Sequence, residues 1–153
     1  MKTRSVVLTF LLSVLALTGG IAEKLNLGTW KLNETKSSIP PGTGKSTTVV
    51  YAPGAGDTTK ITTAGVDASG KPTHTQWMGK FDAKPYPVSG DRDAPYRAHK
   101  VKNEHSLLFA NINGDRTVSN GKIQVAKDGK SRTVEMTYFE SKKIKAKYVY
   151  EKQ

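Results

Sequence analysis

From Glu23 to the C-terminus the chain alternates apolar and polar residues with period two, and that habit confines it to β structure. The clearest case is Lys143 to Tyr150, where Ile144, Ala146, Tyr148 and Tyr150 share one face and Lys143, Lys145 and Lys147 the other. Successive strand side chains point to opposite sides, so such a segment lays one face on a core and the other in water. Lysines on the outer face also guard a sheet edge against pairing with other chains. Thr133 to Phe139 repeats the pattern, with Val134, Met136 and Tyr138 set against Thr133, Glu135 and Thr137. No helical periodicity is read beyond Glu23.

Turn signals punctuate these runs. Asp128-Gly129 separates Ile123–Ala126 from Thr133–Phe139, and Asn113-Gly114-Asp115 separates Ser106–Ile112 from Arg116–Ala126. Ser69-Gly70 stands between Thr59–Val66 and Thr73–Phe81, and Pro53, Gly54 and Gly56 break the chain after Thr47–Tyr51. Such residues take positive φ without penalty and close hairpins. Asn120-Gly121 is read as a bulge within one long strand, because a hairpin there would leave too short a strand before it. Pro85, Pro87 and Pro95 cannot donate to a ladder, so Asp82 to Pro95 is expected to be mostly loop or edge.

The first residues have a different character. Lys2 and Arg4 precede an apolar stretch, Val6 to Leu17, and Gly20-Ile21-Ala22 is a small-residue cleavage site before Glu23. Residues 1–22 therefore read as a secretory signal peptide and 23–153 as one exported domain, periplasmic or extracellular. The apolar run is too short to span a bilayer comfortably, and no transmembrane segment follows it. The chain contains no cysteine, which excludes disulfides and a lipid anchor on cysteine, so packing alone must hold the domain. With only His74, His99 and His105 available as histidines, a tetrahedral zinc site is not expected and no cofactor is read. A net charge of +11 favours attraction to anions. Outside the cytoplasm these are lipid head groups, cell-wall polymers or acidic polysaccharides rather than nucleic acid.

About eight or nine short antiparallel strands in sequence order favour closure into a single up-and-down β-barrel, which removes both edges of an open sheet. A β-sandwich is the alternative. A barrel of that size is filled by side chains or holds one small ligand, and the domain is expected to be a monomer.

Gly28-Thr29-Trp30, opening the first strand, resembles the lipocalin signature. With Phe81-Asp82-Ala83-Lys84-Pro85-Tyr86-Pro87-Val88-Ser89-Gly90 and Val125-Ala126-Lys127-Asp128-Gly129-Lys130-Ser131-Arg132-Thr133-Val134, the mature chain is similar to small exported bacterial lipocalin-like (calycin-type) barrel proteins. The resemblance implies a barrel whose base is closed by Trp30, with Gly28 and Trp30 as structural signature. It also implies an arginine from the last strand over that tryptophan. Here that strand offers only Lys143, Lys145 and Lys147, and the mid-chain Thr-Asp-Tyr element of lipocalins is missing.

No catalytic constellation emerges. Gly42-Thr43-Gly44-Lys45-Ser46-Thr47 imitates a phosphate loop, but Ile39 stands where the first glycine is required and no helix follows. A serine hydrolase needs a base and an orienting acid around an exposed nucleophile, and nothing places a serine so. Asp82, Asp91 and Asp93 sit near one another but beside Lys80, Lys84, Arg92 and Arg97, which suits turn chemistry and salt bridges better than calcium.

The aromatic residues are more informative. Trp77 and Phe81 share a face, Tyr86 follows, and Phe109, Tyr138 and Tyr148 fall on the same parity in their strands. These, with His74, Arg97 and His99 as polar groups, are the candidate ligand-binding residues of an interior site. The expected function is that of a non-enzymatic carrier of a small, largely apolar ligand, with Asp82–Pro95 as a possible lid. The alternative is a filled barrel whose basic exterior binds an anionic envelope polymer or a protein.

Overall fold

Short turns held by their own side chains fix the strand order. Between β3 (Thr59–Val66) and β4 (Pro72–Gly79), Asp67 accepts from the amides of Ser69 and Lys71, and Gly70 takes φ 85°. That is the left-handed conformation glycine adopts without steric cost. At the turn between Arg116–Val125 and Ser131–Tyr138, Asp128 accepts from the amide of Lys130 and Gly129 has φ 69°.

The computed structural model describes residues 18–140 and 143–153. A helix, α1 (Thr18–Asn26), precedes β1 (Gly28–Leu32), and a single 3-10 turn at Glu34–Lys36 leads to β2 (Lys45–Pro53). After β3 and β4 come β5 (Asp82–Ser89), β6 (Tyr96–Asn103), β7 (Ser106–Asn113), β8 (Arg116–Val125), β9 (Ser131–Tyr138) and β10 (Ile144–Lys152). Each strand pairs antiparallel with its neighbours in sequence, and β1 closes the ring onto β10. The fold is thus an all-β, up-and-down closed barrel of ten strands, and a sandwich is excluded. Among the described residues no helix is long and apolar enough to cross a membrane.

Three readings of the sequence are corrected here. Asp82–Ser89 is a strand and not a lid loop, and it is the strand missing from the expected number. Its prolines are accommodated because β5 pairs with β6 at Pro85, Tyr86 and Pro87, but with β4 only through Gln76–Ser89 and Trp77–Val88. A bulge between Asp82 and Pro85, with Ala83 at φ 66°, adjusts the register. The ladder irregularity expected at Asn120-Gly121 falls instead opposite Asn111–Ile112, while Gly121 pairs regularly with Phe109 and Met136. Helical structure occurs beyond Glu23, since α1 runs to Asn26. Residues 1–17 of the expected leader lie outside the described residues.

The core follows the predicted parity except at Ile144, which opens β10 on the inward parity yet is 40% exposed. Ala146, Tyr148 and Tyr150 of β10 are buried while Lys145 and Lys147 are exposed. Trp30, Trp77 and Leu107 are at most 1% exposed, each removing a large apolar surface from water. At roughly 25 cal/mol per Å², such side chains dominate the driving force for closure. Gly79 and Gly121 make room within this packing. A Cβ at Gly79 would strike the Tyr86 ring, and one at Gly121 the Phe109 ring and the Glu135 carbonyl.

Candidate functional site

The barrel interior changes character along its axis. At the α1 end, Trp30 donates from Nε1 to the Asn26 carbonyl (2.8 Å), and Ala22 is fully buried. Arg132 lies 4.6 Å from the Trp30 ring centroid, 4.7 Å from Tyr51 and 5.3 Å from Tyr150. Its Nη1 donates to Asn26 Oδ1 (3.1 Å), which places a cation at the C-terminus of α1, where the helix dipole favours it. The arginine that the resemblance placed on the last strand therefore comes from β9. Arg132 stands directly opposite Tyr150, so a guanidinium from the adjacent strand reaches the same tryptophan.

The middle of the barrel is an aromatic cage around His99. Its ring centroid lies 4.7 Å from Trp77, 5.3 Å from Phe81 and 6.0 Å from Phe109. Phe81 stacks on Trp77 at 5.9 Å, and Tyr86 meets the indole edge-on at 5.8 Å. The indole Nε1 donates to the Arg97 carbonyl (2.9 Å), which joins β4 to β6 across the interior. His99 is 2% exposed, and neither ring nitrogen has a hydrogen-bond partner. Burial, with the positive charges of Arg97 and Arg132 adding to it, holds its pKa well below the ordinary histidine value. The ring is therefore neutral, with one donor and one acceptor unused. Leaving such a group unpaired costs about 1–3 kcal/mol.

The far end is polar and partly accessible. Arg97 Nε donates to Asn111 Oδ1 (2.5 Å), and Asn111 Nδ2 donates to Ser119 Oγ (2.8 Å). The Tyr138 and Tyr148 hydroxyls share a hydrogen bond of 2.8 Å, and Tyr148 donates onward to the Gly44 carbonyl. Burial raises the pKa of both phenols. Thr63 and Thr75 pair through their hydroxyls at 2.7 Å. Thr63, Thr75, Arg97 and Tyr138 are half-buried, each keeping accessible surface. Protein nonetheless crowds the Arg97 guanidinium enough for burial to lower its pKa.

Of the nine candidate ligand-binding residues, the fold brings seven into the interior: Trp77, Phe81, Phe109 and His99 in the cage, and Arg97, Tyr138 and Tyr148 beyond it. Tyr86 is half-buried, its ring against Trp77 and its hydroxyl turned out to the exposed Asp82. His74 lies outside altogether. It has the opposite parity to Trp77 on β4 and is exposed on the outer face, opposite Ala64. Asn111, Ser119, Tyr51 and Arg132 were not among the candidates. Their parity with Phe109, Ile123, Val49 and Val134 was the available signal. The carboxylates in and after β5 serve turns. Asp82 accepts from the Lys84 amide and the Tyr86 hydroxyl, and Asp91 accepts from the amides of Asp93 and Ala94.

A second feature lies outside the barrel. A groove of about 820 Å³ crosses β6 to β10, with Ala98, Leu108 and Ala110 in its floor and Lys100, Lys122, Lys145 and Lys147 along it. It is external because no residue of β1–β4 lines it, whereas a lumen would be walled on both sides. Glu135 is the single carboxylate among its lining residues, and it pairs with Lys122 at 3.3 Å.

No family model matches the chain, and no curated protein matches it. Among solved structures it is similar to EF1p2_mFAP2b bound to DFHBI, with 13% sequence identity and a TM-score of 0.50 over 89% of this chain and 100% of that one. At that identity the likeness shows the barrel fold alone.

Proposed function

We propose that this protein is an exported, non-enzymatic barrel of the lipocalin-like type that binds a small, largely apolar ligand in its interior. The observation that carries the reading is His99, a neutral imidazole with both nitrogens unpartnered inside a cage of Trp77, Phe81 and Phe109. Binding sites typically combine apolar walls with a few polar groups that fix orientation, and this is such a combination. An apolar residue would fill the cage more cheaply were packing the only requirement. The structurally similar EF1p2_mFAP2b is bound to DFHBI, so a barrel of this architecture is able to hold a small molecule. Binding would proceed by desolvating the ligand against the aromatic wall, with His99 reading one polar atom.

Native mass spectrometry of the protein purified from its own host's envelope tests this. The expected result is an adduct of defined mass that disappears on denaturation and is absent from the His99→Phe variant. A bare mass that persists after incubation with total lipid extract would overturn the reading.

The outer groove favours a second reading, in which the basic wall of β6–β10 binds an anionic envelope polymer. Lysines dispersed over strand faces are ordinarily just solvated, so this reading ranks second. Ionic strength separates the two, because polyanion binding weakens steeply with salt and apolar burial does not.

A further inference from the structure

The outer face of an antiparallel barrel meets water and is ordinarily polar. At the end far from α1, one part of the wall departs from this. Tyr96 of β6 stands in register between Pro87 of β5 and Ile112 of β7. Ile112 pairs on with Thr117, where a bulge leaves Val118 beside it, and the Phe139 amide donates to the Val118 carbonyl (2.9 Å). These residues face outward, since the buried Val88, His99, Phe109, Ser119 and Arg132 of the same strands have the other parity. Tyr96 is 45% exposed and Phe139 37%. An apolar row thus runs about 19 Å across five strands.

Further along the same strands the outer side chains become small and then basic. Ala98, Ala110, Asn120 and Thr137 follow one another in register and end at Lys145. The next row is Lys100, Leu108, Lys122, Glu135 and Lys147. The outer groove is the gap that the small side chains leave between their row and this one. Its four lysines face a single carboxylate, Glu135, which is held by Lys122. Charges in the turns beside the apolar row, Asp91-Arg92-Asp93 and Asp115-Arg116, are of both signs and nearly cancel.

Contiguous exposed apolar side chains rimmed by polar ones mark interaction sites. The order here is that of a bilayer interface read from the acyl boundary outward. Aromatic rings sit at that boundary, and lysines lay their stems along apolar surface while their ammoniums stay with the head groups. Tyr96 and Lys100 are about 13 Å apart along the strand, and strand tilt together with the lysine stem shortens that toward headgroup depth. A soluble polyanion would engage the lysines but bury nothing of the apolar row.

We propose that the β5–β10 wall docks on the surface of an anionic phospholipid bilayer, with Tyr96 and Phe139 entering the acyl boundary and Lys100, Lys145 and Lys147 meeting the phosphates. This docking makes no use of the barrel interior and stands whether or not a ligand is held there.

Co-sedimentation with vesicles provides the test, using the protein and its variants purified from their own host. Vesicles of phosphatidylcholine alone are compared with an equal mixture of phosphatidylcholine and phosphatidylglycerol, and immobilised dextran sulfate serves as a lipid-free polyanion. The mixed vesicles should bind the protein and the neutral ones should not. Lys100→Gln/Lys147→Gln should weaken that binding roughly fivefold for each charge removed. Tyr96→Ser/Phe139→Ser should weaken it roughly tenfold while leaving retention on dextran sulfate unchanged. Equal binding to the two kinds of vesicle, or binding to neither, overturns the proposal, and that comparison needs no variant to fold. Vesicle binding that survives Tyr96→Ser/Phe139→Ser marks a plain polyanion site and also overturns it. So does a row that joins two copies of the chain in sedimentation equilibrium and leaves vesicles unbound.

Discussion

The Arg132 guanidinium lies 4.6 Å from the centroid of the Trp30 ring, although the two residues stand on strands that do not pair with each other. β10 separates them, and Arg132 reaches past Tyr150 to the indole while Nη1 holds Asn26. One side chain thereby joins β9, β1 and the end of α1.

Replacing Arg132 with Met should destabilise the protein by about 2 kcal/mol. A desolvated cation–π contact contributes about that much, and the charged hydrogen bond to Asn26 adds to it. Release of a buried charge offsets part of the loss. Arg132→Lys should recover little, because an ammonium cannot lie flat between three rings. Urea denaturation of the three proteins measures this, and equal stability of all three would refute it.

Acid should weaken the fold before its carboxylates titrate. Unfolded histidine takes up a proton near pH 6.5, while folded His99 resists it because burial holds its pKa far lower. The unfolded state thus binds more protons below pH 6.5, and stability falls there as pH decreases. His99's contribution is complete above that value and declines by up to about 1.4 kcal/mol per pH unit below it. In His99→Phe the slope between pH 6.5 and pH 5 should largely vanish. Its stability at pH 7 should be equal or greater, since two unpaired nitrogens are removed. An unchanged slope would show that another group is responsible.

Gly121→Val should cost about 1–3 kcal/mol, the usual penalty for overpacking a filled core. The glycine does not need a positive φ here. It is required because the Phe109 ring occupies the place of its side chain, and the Glu135 carbonyl closes the other side. Pairing Gly121→Val with Phe109→Ala should relieve part of the cost, and strict additivity in thermal unfolding would count against this account.

Trp77→Phe keeps the aromatic wall but removes the donor to the Arg97 carbonyl. A loss of about 1 kcal/mol is expected for that bond. Urea denaturation of the two proteins measures this, and equal stability would show that the bond contributes nothing.

Much of this architecture was legible from alternation. Trp77 and Phe81, and Tyr148 and Tyr150, face inward as their parity requires, and the same rule places His74 outside because it is an odd number of positions from Trp77. β5 was not legible, since two prolines hide a strand whose pairing on one side is nearly absent. Arg132 shares the parity of Val134 and Met136, but an inward arginine contradicts the ordinary expectation that charge faces water, and Tyr51, Tyr150 and Asn26 override it only after the barrel closes. The unpaired state of His99 has no counterpart in the sequence, because it depends on which atoms fail to meet.

The narrow ladder between β4 and β5 gives the ring a clasp. Its registered pairs are only Gln76–Ser89 and Trp77–Val88, whereas β3 and β4 are joined by eight. Amides along this seam should exchange with solvent sooner than those of the broader ladders, as few bonds must part to release them. Because Trp77 is itself a tooth of the clasp, unfastening it exposes the aromatic cage sideways, through the wall. A barrel built this way can part at its wall without removing the helix from its base.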